Sequence, residues 1–198
     1  MPWWYWLPGI WLGTPVFIFI LWFLCQFFGP ITRFRGLKKI NKNQLAQFVK
    51  DNYSLNKTTF LFVTKWKTEK SYYGPPGFYY DASQAFVLRT LWKAHACIAF
   101  DSYPEESRIC VRQIQGKKGS EAFLSRLRWE KFLLDYATQW ARCNGFKEIW
   151  VQPSRLNKWC PKGIEQEQKK FKLRYDVTAK RMGFKLDEVN GHYIKSLV

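Results

Sequence analysis

No Asp, Glu, Lys or Arg occurs before Arg33, and this charge-free stretch constrains the chain more than any other feature of its sequence. Residues 1–32 read MPWWYWLPGIWLGTPVFIFILWFLCQFFGPIT. As a helix rising about 1.5 Å per residue, Ile10 to Phe28 would reach about 28 Å, which matches the roughly 30 Å hydrocarbon core of a bilayer. Trp3, Trp4, Tyr5 and Trp6 cluster at one end, where amphipathic rings sit among head groups, and Gly29 with Pro30 punctuates the other. Pro15 removes one backbone hydrogen bond, which membrane helices tolerate when a neighbour or water satisfies the freed carbonyl. A cleaved signal peptide fits less well, because the run has no positive leading region and no small-residue cleavage site after it. A buried hydrophobic helix is the remaining alternative. Residues 1–30 are therefore expected to form a transmembrane or membrane-anchoring helix.

Arg33, Arg35, Lys38, Lys39 and Lys42 follow the apolar run closely. The positive-inside rule then predicts a single-pass membrane protein whose C-terminal domain is cytoplasmic. The same cations interleave with Ile31, Phe34, Leu37 and Ile40, so residues 31–53 read as a basic amphipathic linker and helix. Such a stretch would lie on anionic membrane lipid, each basic residue contributing about 1 kcal/mol near the surface; a solvated linker is the competing reading.

The whole chain carries 32 basic and 15 acidic side chains, a net charge of +17, which attracts polyanions. The candidates are anionic lipid, nucleic acid and phosphorylated small molecules such as coenzymes. The aromatic rings of residues 71–80, SYYGPPGFYY, either plug the core or stack on bases; no RNA-binding motif accompanies them, so core packing is the favoured reading and nucleic acid is not the favoured partner. Five cysteines are spread without a Cys-x-x-Cys pair and only two histidines are present, so no metal site of familiar spacing is expected. The odd cysteine count also favours reduced thiols.

Residues 54–198 are long enough for one domain. Phe60–Val63 reads as a buried strand, Gly-Pro-Pro-Gly at 74–77 as irregular loop, and Ala82–Lys93 as a helix. His95–Asp101 and Arg108–Gln115 form a hairpin about a polar turn. His95 and Cys97 share a face of its first strand, but without a third, orienting group a nucleophilic pair is not the favoured reading. A long helix after Gly119 stops at Gly145, a strand spans Lys147–Gln152, and a polar, basic helix spans Ile164–Met182. Phe184–Val189 and His192–Leu197 close the chain as a second hairpin. Glu130 falls on the apolar stripe of the first helix, where it either pairs with Arg126 one turn away or serves as a functional carboxylate.

This order of elements, together with VRQIQG at Val111–Gly116, WARCNGFKEIWVQ at Trp140–Gln152, AKRMGFK at Ala179–Lys185 and the terminal GHYIKSL, resembles the GNAT superfamily of acyl-CoA-dependent N-acyltransferases over about the last hundred residues. The resemblance implies an α/β fold, a mixed and largely antiparallel sheet with flanking helices, here preceded by the N-terminal transmembrane helix. It implies acyl transfer from acetyl-CoA or another acyl-CoA to an amine-bearing acceptor, with no metal. The cofactor-binding residues it implies are Ile114 and Gln115 at the end of a strand, the loop Gly116, Lys117, Lys118, Gly119 and Ser120 facing the pyrophosphate, and Asn157 beyond the next strand. The family spacing of Gln or Arg, Gly and a second small residue falls on Gln113, Gly116 and Lys118. If the family's paired leucines are set on Leu133 and Leu134 instead, its glycines fall near Arg128 and Glu130. The usual acid, a Tyr four residues before the Gly of Gly-Phe, is replaced by Ala179. Tyr175, one turn earlier, takes that role only if the helix shifts. The catalytic candidates are accordingly Tyr175 and Glu130, with Glu106 a further carboxylate. A non-catalytic binding or scaffold module of the same fold, using its basic surface on anionic lipid or nucleic acid, is the alternative.

Overall fold

The computed structural model describes residues 62–198, except residues 71, 75, 91, 92 and 126. The expected anchor at 1–30, the linker at 31–53 and the start of the first strand lie outside the described residues. Among the described residues, no helix is long and apolar enough to cross a membrane.

Seven strands form one sheet in the order β1 (Phe62–Lys67), β4 (Gln84–Arg89), β5 (Ala94–Tyr103), β6 (Arg108–Gly116), β7 (Glu148–Val151), β9 (His192–Ser196) and β8 (Lys185–Asp187). Neighbours are antiparallel except β6 and β7, which run parallel. The domain is thus mixed α/β with a largely antiparallel sheet and flanking helices. Strands β2 (Tyr72–Gly74) and β3 (Phe78–Tyr80) form a separate two-stranded hairpin. Four helical pieces follow the sheet's first half: α1 (Glu121–Leu124), α2 (Trp129–Cys143), α3 (Glu165–Lys172) and α4 (Thr178–Arg181), the last two joined by a π-helical turn at Leu173–Val177.

Central strand β5 shows why the sheet is buried on both sides. Side chains alternate along a strand, so Ala96, Ile98 and Phe100 enter the core beneath α2, where Leu133, Leu134, Ala137, Trp140 and Ala141 project. Cys97 and Ala99 face the other way, against Phe78, Tyr80 and Ala82. Those small residues leave room for the hairpin's rings to lie close to the sheet. Phe86 stacks on Phe100 at 4.9 Å and meets Trp140 edge-on at 5.5 Å. Each buried ring of this kind contributes about 1.5–3 kcal/mol.

Three local expectations are corrected. The segment expected to be helical at Ala82–Lys93 contains strand β4, because QAFVLR alternates: Phe86 and Leu88 join one core while Ala85 and Val87 join the other. The residues flanking the expected loop pair as the β2–β3 hairpin, Tyr72–Gly74 with Phe78–Tyr80, and Gly77, at φ +93°, donates its N–H to the Gly74 carbonyl at 2.8 Å. The long helix after Gly119 is broken: α1 ends after one turn, Arg128 adopts φ +44°, and α2 begins at Trp129. Its end agrees with expectation, with Gly145 at φ +79° and the Phe146 N–H returning to the Ala141 carbonyl at 3.1 Å.

Candidate functional site

The parallel pair β6 and β7 makes a gap. Register runs from Arg108 opposite Glu148 to Val111 opposite Val151, and the Gln152 N–H closes the pairing on the Val111 carbonyl at 2.9 Å. Pro153, which has no N–H, then turns the chain into a 3₁₀ turn at Ser154–Leu156, while β6 continues to Gly116. At the point of separation β6 bulges. Its pairing with β5 passes from Val111 opposite Phe100 to Gln113 opposite Ala99, leaving Arg112 as the extra residue.

Tyr175 fills the gap. Its hydroxyl oxygen accepts the Ile114 N–H at 2.9 Å and Asn157 Nδ2–H at 2.9 Å, and the residue is 1% exposed. Tyr175 lies in the π-helical turn, whose wider winding resets the faces that follow. Phe171 stacks parallel to the Tyr175 ring, with centroids 6.0 Å apart. Asn157 is set by the 3₁₀ turn, which Asp176 pins by accepting both the N–H (3.0 Å) and hydroxyl (2.5 Å) of Ser154. Burial pushes the Tyr175 phenol well above its ordinary pKa, more strongly than the Ile114 N–H and the Arg174 charge pull it down. The group therefore stays protonated at neutral pH, and because both bonds are accepted by its oxygen, its own proton remains available to donate.

Three expected residues, Ile114, Asn157 and Tyr175, thus converge. The loop behaves otherwise. A Cβ on Gly116 would meet Leu124 Cδ1 at 3.1 Å and Trp129 Cζ2 at 3.3 Å, so this end of β6 lies under α1 and the start of α2. Gln115 Oε1 accepts from Gln113 Nε2 at 2.5 Å. Lys117 turns to the hairpin, donating its Nζ to the Pro76 carbonyl at 3.2 Å. Lys118 and Gly119 are exposed, and the Gly119 carbonyl accepts Lys93 Nζ at 2.7 Å. Ser120 is buried, with its hydroxyl 3.2 Å from His95 Nδ1.

The carboxylate candidates separate likewise. Glu130 is half-buried in the first turn of α2; burial raises its pKa against its own backbone N–H and the charge of Arg174. The expected partner Arg126 lies outside the described residues. Glu106 pairs with Arg108 at 2.5 Å, at the opposite end of β6 from Ile114, and is remote from the gap.

A cleft of about 240 Å³ opens beside the gap, lined by Lys70, Asp81, Asp101, Arg112, Gln152, Leu156, Asn157 and Lys158. Asn157 is shared between the cleft and the Tyr175 bond. Asp101 pairs with Lys70 at 3.3 Å and Arg112 at 3.5 Å, and Asp81 with Lys158 at 2.6 Å. Trp159 Nε1 also donates to Asp81. Sequence reasoning passed over these charges. The signal available was a lone Asp ending the apolar run AHACIAFD and a lone Arg inside ICVRQI.

His95 is a second buried polar centre. The Thr90 hydroxyl lies 3.1 Å from His95 Nε2 and the Ser120 hydroxyl 3.2 Å from Nδ1, so each ring nitrogen faces a hydroxyl that can donate or accept. Phe123 stacks on the ring at 4.1 Å. Burial, then the charges of Lys93 and Lys117, hold its pKa below 6.5. Cys97, the expected companion on this strand, is wholly buried in the opposite core, and burial raises its thiol pKa. Among the described residues no three His, Cys, Asp or Glu side chains converge as a metal site.

No protein-family model and no curated protein matches this chain. What the fold and the site define is a mixed α/β domain with a tyrosine-filled gap between its two parallel strands.

Proposed function

We propose that the chain is a membrane-tethered GNAT-like N-acyltransferase, passing an acyl group from acetyl-CoA or another acyl-CoA to an amine. The observation that carries this reading is the buried Tyr175 hydroxyl seated on the Ile114 N–H where parallel strands part. The order from β5 onward, hairpin, helix, strand, helix, hairpin, is the order on which the resemblance rests. The amine nitrogen attacks the thioester carbonyl carbon, the C–N bond forms, and the C–S pair leaves on sulfur. Tyr175 gives its proton to that sulfur, yielding the CoA thiol. The proton lost by the amine passes to water, which in turn restores the phenol. A backbone N–H at the strand edge polarises the thioester carbonyl as the amine attacks. The tether rests on charge-free residues 1–32 and the cations after them.

A second reading is favoured by one observation. Leu124 and Trp129 cover Gly116, and Glu130 places a carboxylate in the first turn of α2, where an anion would otherwise be welcome. This supports a non-catalytic module whose basic surface holds anionic lipid or, less favoured, nucleic acid. Thermal melting of the full chain with acetyl-CoA separates the two, because a ligand bound by the folded state raises its stability. Stabilisation together with thiol release on adding an amine supports the enzyme. A melting curve indifferent to short and long acyl-CoA leaves the binding module.

A further inference from the structure

Asp101 is a buried carboxylate with one oxygen hydrogen-bonded and the other ion-paired. The residue is 5% exposed, and its Oδ1 accepts both the N–H and the hydroxyl of Ser83, each at 3.0 Å. Oδ2 receives no hydrogen bond, and its partners are the ion pairs to Lys70 Nζ at 3.3 Å and Arg112 Nε at 3.5 Å. Arg112 also donates from its terminal nitrogen to the Tyr103 hydroxyl at 3.0 Å. Oδ2 is thus held by charge rather than by a hydrogen bond, and a donor entering from the cleft can add one.

The donor that fits is visible in the fold. Lys70 brings a primary alkylammonium to Oδ2 with 64% of its side chain exposed, and Lys158 brings another to Asp81 with 52% exposed. The lysine ends of both pairs are exposed, so a competing cation from solvent can reach the carboxylates that they cover. The cleft, at about 240 Å³, has room for a small unbranched chain, given roughly 30 Å³ of liquid volume per water molecule. Its wall residue Asn157 bonds the Tyr175 hydroxyl, which puts an occupant of the cleft beside the gap.

We infer that this cleft is the acceptor subsite and that it takes an unbranched primary alkylamine, whose ammonium replaces Lys70 on Asp101 Oδ2. This rests on the acyl-transfer reading for its role as acceptor, but not for the binding itself. Deprotonation at the cleft mouth frees the nitrogen lone pair for attack, the proton going to water.

The test is calorimetric titration of the full chain with n-butylamine, alongside the amine KM for thiol release in saturating acetyl-CoA. Asp101→Asn should weaken amine binding about tenfold or more while the acetyl-CoA melting shift is retained. Lys70→Met should act in the opposite direction, tightening amine binding about two- to fivefold by removing the internal competitor. Loss of folding cannot produce that gain. Amine binding unchanged or weakened in Lys70→Met overturns the inference, as does a folded Asp101→Asn chain with wild-type affinity. If acetyl-CoA neither binds nor reacts, the acyl-transfer reading fails separately. Butylamine binding with these two opposed responses would still assign the cleft to alkylamines, and its absence would refuse it.

Discussion

The Tyr175 hydroxyl lies 2.9 Å from the Ile114 amide nitrogen although the two residues are 61 positions apart in sequence. One phenol thereby ties the C-terminal helix to an inner strand at the place where that strand loses its parallel neighbour. It satisfies a backbone donor that would otherwise be stranded in the gap.

Tyr175→Phe removes both bonds at once and leaves the Ile114 N–H and Asn157 Nδ2 without this acceptor. Urea unfolding should show a loss of about 1–3 kcal/mol. If the phenol protonates the departing thiolate, turnover should also fall about a hundredfold while acetyl-CoA still raises the melting temperature. A stability loss with unchanged turnover confines Tyr175 to bracing the gap.

Arg128 holds φ +44° immediately before α2, and its side chain is exposed. An L-residue is strained there by about 1 kcal/mol, which glycine escapes. Arg128→Gly should therefore raise the urea midpoint, against the usual direction for glycine next to a helix. A lower midpoint would mean that the arginine side chain makes a stabilising contact larger than its backbone strain.

The alternation in AHACIAF and RICVRQI made β5 and β6 legible, and Gly145 and Gly183 marked helix ends in the sequence. Strand β4 was misread because QAFVLR is short and apolar, and its second core becomes apparent only when the hairpin rings of Phe78 and Tyr80 cover that side of the sheet. In the site, Tyr175 and Asn157 were named only through the family resemblance, which sets their places against Gly183 and β7. The Asp101 cleft was not, since it is assembled from β5, the bulge at Arg112 and the turns bearing Asp81 and Lys158, which only the folded topology brings together.

The charge-free N-terminal stretch makes its own prediction. The full chain should remain with membranes through a high-salt wash, and removal of residues 1–30 should leave vesicle binding that salt weakens, because Arg33, Arg35, Lys38, Lys39 and Lys42 remain. Recovery of the intact chain in the soluble fraction refutes the anchor. Binding of the trimmed chain that ignores lipid charge refutes the basic linker's role.

His95 supplies the pH dependence. In the folded chain its pKa is held below 6.5 by burial, reinforced by Lys93 and Lys117, whereas the unfolded chain titrates near 6.5. Between those two values the unfolded state binds more protons, so lowering the pH through 6.5 must remove stability until the folded ring also protonates. Protonation further obliges both ring nitrogens to donate, to the Thr90 and Ser120 hydroxyls that face them. Urea midpoints of the wild type should therefore fall as pH drops from 7 toward 5. His95→Gln removes this imidazole's share of that slope, so its curve should be flatter over the same range even if its midpoint at pH 7 is lower. Parallel wild-type and His95→Gln curves would show that the ring keeps an ordinary pKa and that another group sets the acid limb.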